Sequence, residues 1–594
     1  MTAARPGPVP PGVVRRFTRS REQPRGVVWF GARSFWGHLR HLVASAIATE
    51  SVDSRDWMEV DEPQALIQRI VEVLGGDAQA GSLVQALGRD LYIDFVADTG
   101  DDVAVSRAVA RLVFASYELP DPDHLDAFLV APRGDVLFFG GDTAYPVATA
   151  KEITNRLIVP WNKVLQALPD DGRARVLLGL PGNHDWYDGL DGFGRMFRRR
   201  DPQDHRRPEV VPLSQPMLEH HAEWAREFLV GGTVEKPRAL VLTGYVPVQG
   251  ASYFALTLAP RLELLAVDRQ LTTVDSRQSR FLVDRYRAHP DSASFVVLPD
   301  PVYHFGVASR TGTQMVKKLQ LDLASRETFI LSGDIHHYER LERDGVLHVI
   351  AGGGGAFLHP ARIASGGLKP TTVWPGVAQS RHLLGKVPWK LACGRSGFLP
   401  HFGLVALFSL ALVLSAQLHA HTGLAISASI VSALLLVVIY ALLGGVTRRL
   451  AVLPIAAAAA LITVLIPIGG AVVVKAAFEQ LGLSASGIVA GVSTLAIAVF
   501  AGSFVFGAYL ALLTLLGYEN MQALAVLDHP GFKHFLRLRV RADGRGIDGW
   551  CVGLVDPLGP EPPVLFDHFT WRPFDRKQPD ASAPGARSSL AVEH

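Results

Sequence analysis

The feature that most constrains this chain is a long stretch, residues 398–517, that is almost free of charged side chains. Within it, the ranges 402–418, 423–447, 450–474 and 487–517 contain no Asp, Glu, Lys or Arg. A helix needs roughly 20 apolar residues to span a bilayer, whereas helices of soluble domains keep a polar face. The sequence therefore predicts an all-α transmembrane bundle of four helices.

Basic residues flank these predicted spans unevenly, and the positive-inside rule uses such a bias to set orientation. They are Lys386, Lys390 and Arg395 before the first span, Arg448 and Arg449 between the second and third, and Lys533, Arg537, Arg539 and Arg541 after the fourth. We therefore expect an integral protein of the cell membrane with four spans and with both termini cytoplasmic. The spans contain no ionisable pair of the kind that marks an ion route, which favours an anchor over a transporter.

The rest of the 594-residue chain divides around this bundle. Residues 1–26 are basic and proline-rich, which predicts a disordered tail. The range 27–90 predicts a helical extension, in which the aromatic and basic segment 27–48 fits either a helix packed on the next domain or one lying in the membrane interface. Residues 361–397 predict a linker, and 518–594 a small cytoplasmic β element and tail. A net charge of only +2 gives no support for a nucleic-acid partner.

Residues 91–360 alternate apolar runs with helical patterns, which predicts an α/β domain. The strand candidates are 91–97, 135–139, 175–180, 263–267, 294–298, 328–332 and 346–351. Four of them lead directly into short polar motifs. These motifs are ADTG at 97–100, GD at 141–142, GNHD at 182–185 and GDIHHYER at 333–340. Open α/β sheets bind ligands at the carboxyl ends of their strands, so we expect the four motifs to meet.

Their residue types suit hydrolysis of a phosphate ester by two metal ions. Asp98, Asp142 and Asn183 offer oxygen ligands and His336 offers a nitrogen, with Asp142 as the bridging carboxylate. His184 is then the expected general acid, with Asp185 orienting or charging it.

This ordered set of motifs resembles the calcineurin-like metallophosphoesterase superfamily, and GDIHHYER resembles the motif ending of its purple acid phosphatase-like members. The resemblance covers residues 91–360 and implies a four-layer αββα sandwich, phosphoric ester hydrolase activity and two divalent metal ions (Mn, Fe, Zn or Mg). Three positions depart from the family pattern: Gly100, Pro299 and Asp334 stand where the family has His. Asp300 or His304 are the candidate substitutes for the second, and Asp334 itself offers a carboxylate ligand.

Together these observations predict a membrane-anchored, metal-dependent phosphohydrolase that cleaves a phosphomonoester, phosphodiester or pyrophosphate bond. The expected substrate is a phosphorylated small molecule or a lipid-linked phosphate, the lipid bilayer is a partner, and oligomer formation stays open. The alternative is a non-catalytic membrane sensor or scaffold with a degenerate metallophosphoesterase domain, which the missing histidines favour.

Overall fold

The computed structural model describes residues 3–10, 17–29, 58–124, 126–199, 239–269, 274–394, 422–445, 450–482, 487–527 and 529–575. Its strands are β1 Leu91–Val96, β2 Tyr117–Pro120, β3 Phe128–Ala131, β4 Val136–Phe139, β5 Arg175–Gly179, β6 Tyr245–Pro247, β7 Phe254–Ala259, β8 Leu262–Ala266, β9 Ala293–Leu298, β10 Tyr303–His304, β11 Val307–Ala308, β12 Thr328–Ser332, β13 Tyr338–Arg343, β14 Val346–Ala351, β15 Thr372–Trp374, β16 Lys533–Val540, β17 Ile547–Leu554 and β18 Val564–Trp571.

The described helices surround these strands or follow them. They are α1 Pro63–Leu74, α2 Leu83–Leu87, α3 Val103–Phe114, α4 Ala150–Ile153, α5 Val159–Ala167, α6 Asn183–Trp186, α7 Asp191–Phe197, α8 Ser276–Ala288, α9 Arg310–Lys318, α10 Val377–Leu384, α11 Val387–Ala392, α12 Thr422–Leu443, α13 Val452–Gln480, α14 Gly487–Leu515 and α15 Gln522–Ala525. A π-helical turn, Thr154–Ile158, joins α4 to α5.

Two seven-stranded sheets form the centre of the molecule. The first has the order β18-β17-β16-β1-β4-β5-β6 and the second β15-β13-β14-β12-β9-β8-β7. Their inner faces share one hydrophobic core, in which the rings of Phe138 and Phe254 lie 5.8 Å apart. Helices α3 and α5 cover the outer face of the first sheet, and α8 and α9 cover that of the second. The predicted α/β class is confirmed.

The strands predicted between residues 91 and 360 are confirmed to within one residue at their ends. The reason is that β4, β5, β12 and β14 are buried along their whole length. A strand covered on both faces reads as an unbroken run of Val, Ile, Leu and Phe, because no position faces water.

The C-terminal strands do not form the separate small element that was predicted. Strand β16 pairs antiparallel with β1, and β17 and β18 extend the same sheet. The chain thus leaves the sheet domain, passes through the apolar helices and returns to complete the first sheet. A period-2 pattern identifies a strand but not its partner, so sequence reasoning could not see this pairing.

Two other expectations about connecting segments are wrong. The predicted linker 361–397 contains β15, an edge strand of the second sheet, and helices α10 and α11. The part of the predicted tail that is described is fixed to the sheet domain, where Ala4 bridges to Tyr117 and Gly7 to Val564. Exposed strand edges offer unpaired backbone groups. The N-terminal segment and β15 pair with such edges through their backbones, so their side-chain composition did not predict it.

Two described helices are long and apolar enough to cross a membrane, Val452–Gln480 and Gly491–Leu515. A further apolar helical segment, Ile430–Leu443 in α12, is shorter. Four such helices were predicted, and two are found within the described residues. The first predicted span, 402–418, lies outside the described residues. Helix α11 packs against α14, where Gly507 lets the backbone of Pro388 approach closely.

Candidate functional site

The site lies where β1, β4, β5 and β12 end, as the motif positions predict. Asp98, Asp142 and Asp334 follow three of these strand ends, and each has a left-handed backbone, with φ of 58°, 49° and 66°. Non-glycine residues rarely adopt this conformation, although Asp tolerates it better than most. Such conformations cluster at functional sites because the surrounding structure holds them in place. Here all three occur at predicted metal ligands.

The hydroxyl of Tyr145 lies in the middle of the predicted ligands. It is 3.0 Å from Asp98 Oδ1, 3.2 Å from Asp142 Oδ2 and 3.1 Å from His336 Nε2. His336 Nε2 also lies 3.4 Å from Asp98 Oδ1. The backbone amide of Asp334 donates to Asp98 Oδ2 at 3.0 Å. The structure therefore brings together residues from three separate motifs around one phenol oxygen.

The electrostatics of this cluster are those of excess buried negative charge. Burial raises the pKa of Asp98 well above its ordinary value, and the charge of Asp334 raises it further. Burial does the same to the pKa of Asp142, and there the charge of Asp98 adds to the effect. Desolvation and like charges both disfavour ionised carboxylates, so a cation placed here would relieve both costs.

His336 is prepared to act as a neutral nitrogen ligand. Burial lowers its pKa to about 3. Its Nδ1–H donates to the Phe357 carbonyl oxygen at 2.7 Å, so the lone pair of Nε2 faces Tyr145 and Asp98. Metal-binding histidines commonly donate their second ring N–H in this way, which fixes the ring and its tautomer.

Two glycines allow the motif loops to approach each other. A Cβ at Gly182 would lie 2.2 Å from Asp142 Oδ1, and one at Gly100 would lie 2.5 Å from the Thr143 carbonyl oxygen. Gly100 also has a φ of +54°, which favours glycine. Position 100 therefore has no room for the histidine of the family pattern, because the GD loop occupies that space.

The GNHD motif provides the next part of the site. The Asn183 amide nitrogen donates to the Tyr187 hydroxyl at 3.0 Å, which leaves the amide oxygen available as the predicted ligand. The His184 Nδ1–H donates to the Pro146 carbonyl oxygen at 2.7 Å. Because a carbonyl can only accept, the exchangeable proton of the ring belongs to Nε2.

The structure corrects the expected role of Asp185. Its carboxylate accepts from the backbone amides of Gly182 at 2.8 Å and Thr143 at 3.3 Å. It thereby joins the GNHD loop to the GD loop, and the carbonyl of Pro146 orients the His184 ring instead. Burial raises the pKa of Asp185 to about 6.

Asp300 and His304 do not join the cluster, contrary to the sequence expectation. Asp300 is buried and forms an ion pair with Arg269. His304 lies in the β10–β11 hairpin, with its ring 5.2 Å from that of Phe305. The polar contacts of Asp98, Asp142 and His336 within the described chain involve neither residue. The Asp300 carboxylate pairs with Arg269, which is distant in sequence, and therefore acts as an ion-pair partner in this structure.

Tyr145 is a member of the candidate site that sequence reasoning missed. It lies three positions after Asp142, in the same loop. The available signal was this short spacing, which places the Tyr145 phenol near the Asp142 carboxylate when the loop turns back towards the strand ends.

The donor set fits divalent metal ions. Among the described residues, no group of three or more His, Cys, Asp or Glu side chains is arranged to hold a metal ion as it stands. The Tyr145 hydroxyl instead lies between such residues and bonds to them. Carboxylate and phenol oxygens together with a neutral imidazole are donors that Mn, Fe, Zn and Mg accept in various proportions. Burial raises the pKa of the Asp98 and Asp142 carboxyl groups, and a bound cation would favour their ionised forms.

Lys533 gives this region a testable pH dependence. Its Nζ is buried and donates to the Ala356 carbonyl oxygen at 2.5 Å, and burial lowers its pKa to about 8 from 10.5. The folded state therefore disfavours the charged form of Lys533. This lowers the free energy of unfolding by its full amount below pH 8, and the loss becomes smaller as pH rises towards 10.5. The difference in pKa corresponds to about 3 kcal/mol.

We expect the melting temperature of the wild type to rise relative to that of Lys533→Met between pH 7.5 and pH 10. Thermal unfolding in detergent, followed by circular dichroism, measures it. The exposed Lys317→Met is the matched control and should show no such trend. A difference between wild type and Lys533→Met that stays constant over this range would contradict the assignment.

Comparisons with known proteins give distant similarities only. No protein-family profile matches the sequence, and neither does any curated protein. Among solved structures, the chain is similar to GAP50, the anchor in the inner membrane complex of Plasmodium, with 10% identity and a TM-score of 0.29 over 48% of this chain and 77% of that one. It is also similar to a dimetal phosphatase from Danio rerio, with 10% identity and a TM-score of 0.25 over 44% and 87%. At these scores, what those proteins do does not transfer to this chain.

Proposed function

We propose that this protein is a membrane-anchored, metal-dependent phosphohydrolase. The observation that carries the proposal is the convergence of Asp98, Asp142 and His336 on the Tyr145 hydroxyl, with carboxylate pKa values raised by burial and by mutual repulsion. An uncompensated group of buried carboxylates costs free energy. It is retained where its charge is used, as in metal and catalytic sites.

The proposed ligands divide into two groups that share Asp142. Asp98, Tyr145 and His336 complete the first group, and Asn183 and Asp334 complete the second. Bound metal ions would lower the pKa of a water molecule and neutralise charge on the phosphoryl oxygens. Whether they are Mn, Fe, Zn or Mg is decided by metal analysis of the purified protein.

The protein's own side chains account for proton transfer and positioning. We assign to His184 the transfer of a proton from Nε2 to the leaving oxygen, with the Pro146 carbonyl holding the ring. Asp185 keeps the two motif loops together through backbone amides. A general acid must lie within hydrogen-bond reach of its target, and this pair of restraints sets the place of His184.

We propose that the chain crosses the membrane four times, with both termini in the cytoplasm. Two described helices meet the length requirement. The chain enters the apolar region from the domain that holds β15 and returns to the same domain at β16, so the number of crossings must be even. Helix α12 and a span in 402–418 would supply the other two.

We further propose a phosphorylated substrate that is a small molecule or a lipid-linked phosphate. Support for the lipid comes from the end of helix α14, which lies close to the site. Met521 follows that helix by six residues and packs against the cluster that contains Ile335, the neighbour of His336. If α14 crosses the bilayer, Met521 would connect the loop of His336 to the membrane surface.

Metal removal and reconstitution test the proposed function. The full chain in detergent is stripped with a chelator and then supplied with Mn²⁺, Fe²⁺, Zn²⁺ or Mg²⁺. We expect hydrolysis of phenyl phosphate, diphenyl phosphate or pyrophosphate to disappear when the metal is removed and to return with at least one of the metals. Elemental analysis counts the bound metal. Absence of turnover on all three substrates by metal-loaded protein would refute the proposal.

The second candidate is a non-catalytic sensor or scaffold. The pairing of Asp300 with Arg269 favours it, because the second ligand group then has no replacement for the nitrogen ligand missing at Pro299. This candidate predicts fewer than one tightly bound metal per chain and no turnover in the same experiment.

A further inference from the structure

A second histidine, His359, lies directly against the predicted nitrogen ligand His336. The two imidazole rings are stacked, with their centroids 4.3 Å apart and an interplanar angle of 11°. His359 is buried, with 2% of its surface exposed, and it belongs to none of the four motifs. A buried imidazole costs free energy unless its nitrogens are hydrogen-bonded, so the contacts of His359 indicate what this residue does.

His359 is joined to the backbone of His336 in both directions. The His336 amide donates to His359 Nδ1 at 2.9 Å, and the His359 amide donates to the His336 carbonyl oxygen at 3.3 Å. Because Nδ1 accepts a hydrogen bond, the proton of the neutral His359 ring belongs to Nε2. The side chain of His359 therefore satisfies a backbone donor that belongs to a predicted metal ligand.

The same short segment, residues 354–359, also holds the side chain of His336. The Nδ1–H of His336 donates to the Phe357 carbonyl oxygen at 2.7 Å, and the Phe357 ring lies 4.4 Å away at an angle of 81°. These contacts fix the tautomer of His336, the plane of its ring and its backbone. A functional side chain must be held within about 0.5 Å of its working position, and His336 Nε2 is the atom that they place.

This segment is in turn attached to the end of β1, beside another predicted ligand. The Ala356 amide donates to the Asp98 carbonyl oxygen at 2.9 Å, and the Gly354 amide donates to that of Ala97 at 2.9 Å. The segment therefore connects the backbones of Asp98 and His336, whose Oδ1 and Nε2 atoms lie 3.4 Å apart. Its contacts determine how these two ligands are placed relative to each other.

We propose that His359 is a positioning residue that holds His336 in its metal-binding orientation. This inference rests on the metal site of the proposed function. Two parts of the side chain contribute: Nδ1 accepts from the His336 amide, and the ring supports the ligand ring from one side. The Nδ1 contact has the larger effect, because its removal takes the acceptor away from a buried N–H group.

The test measures metal binding, using the full chain in detergent after its metal has been removed. Mn²⁺ is titrated into the wild type and the variants, and calorimetry gives the dissociation constants. His359→Ala removes both contacts and should weaken Mn²⁺ binding by roughly thirtyfold, or about 2 kcal/mol. Residues that orient a metal-binding histidine commonly have effects of this size on affinity.

Two further variants separate the hydrogen bond from the stacked ring. His359→Asn offers an amide oxygen in place of Nδ1 and lacks the ring, and it should bind Mn²⁺ within about threefold of the wild type. His359→Phe keeps a flat ring but cannot accept a hydrogen bond, so it should bind as weakly as His359→Ala. The matched control is His348→Phe, since His348 is also buried but its ring packs 5.1 Å from that of Tyr303. Its affinity should be unchanged.

Two additional measurements distinguish positioning from a purely structural effect. Co²⁺ bound to the protein has visible absorption bands that depend on the number and geometry of its ligands. We expect His359→Phe to change these bands and His359→Asn to keep those of the wild type. The melting temperature of each metal-free variant is recorded as well. His359 variants that lose stability without metal, but bind Mn²⁺ like the wild type, would show a role in folding alone and overturn the proposal.

The outcomes separate this inference from the function on which it rests. Wild-type Mn²⁺ affinity in both His359→Ala and His359→Phe, or an equal loss in His348→Phe, overturns the role of His359 and leaves the phosphohydrolase standing. If the wild type binds metal but hydrolyses no phosphate ester, the proposed function fails, and the binding data still decide the role of His359. If the wild type binds no metal, both are refuted.

Discussion

Asp142→Asn is expected to lower kcat/KM for phosphate ester hydrolysis by roughly a thousandfold, or about 4 kcal/mol of transition-state stabilisation. The Asp142 carboxylate touches the Tyr145 hydroxyl, accepts from the His184 backbone amide at 2.8 Å and is the ligand shared by both proposed groups. Asn has nearly the same shape as Asp and tolerates the left-handed backbone. The variant therefore removes the negative charge and keeps the fold intact. Metal content should fall with activity.

The matched control is Asp126→Asn. Asp126 also has a left-handed backbone, with a φ of 67°, but it is exposed in the β2–β3 turn. Its substitution should leave turnover and metal content within about twofold, as surface changes usually do. Steady-state kinetics and elemental analysis of both variants give the answer. Asp142→Asn protein that keeps wild-type turnover would remove the basis of the proposed site.

Arg537→Met is expected to destabilise the folded protein by about 3–5 kcal/mol, the range for breaking a buried ion pair. Arg537 is fully buried in β16 and donates to Asp94 at 2.7 and 3.1 Å, with further bonds to the carbonyl oxygens of Val113, Ala115 and Ala131. Within the described part of the chain, the substitution leaves the buried Asp94 carboxylate with one donor, the Gly134 amide. We expect the pairing of β1 with β16 to be destabilised, because Asp94 lies in β1 and Arg537 in β16.

A double variant separates lost charge pairing from lost packing. Asp94→Asn with Arg537→Met removes both charges, and it should be clearly more stable than Arg537→Met alone. Arg545→Met, in the exposed β16–β17 connection, is the control and should change stability by less than about 0.5 kcal/mol. Thermal unfolding in detergent and limited proteolysis of the C-terminal strands report the result. Equal stability of the single and double variants would show that the ion pair is not what joins these strands.

The sequence was most informative where structure depends on neighbouring residues. The strands ending near Asp98, Asp142 and Asn183 could be predicted because burial on both faces leaves a continuous apolar run. The site could be placed at one edge because the carboxyl ends of successive parallel strands meet there. His336 was found by the same reasoning, and the structure puts its Nε2 beside Asp98.

The predictions that were wrong concern partners that are distant in sequence. Asp300 matched a ligand position, but its partner is Arg269. Asp185 was expected to orient His184, yet its carboxylate meets the amide of Thr143 from another loop. In each case the residue type was informative, and the neighbour that decides its role is visible only in three dimensions.

The sequence by itself determined the apolar helices, the strands of the sheets and the polar residues at the strand ends, because each of these is written in a local pattern of burial. Only the tertiary structure decided that the C-terminal strands complete the first sheet, with Asp94 and Arg537 meeting across 443 positions of sequence. It also decided that the Tyr145 hydroxyl lies among the predicted ligands. Contacts of this kind depend on how distant segments pack, and no local periodicity records them.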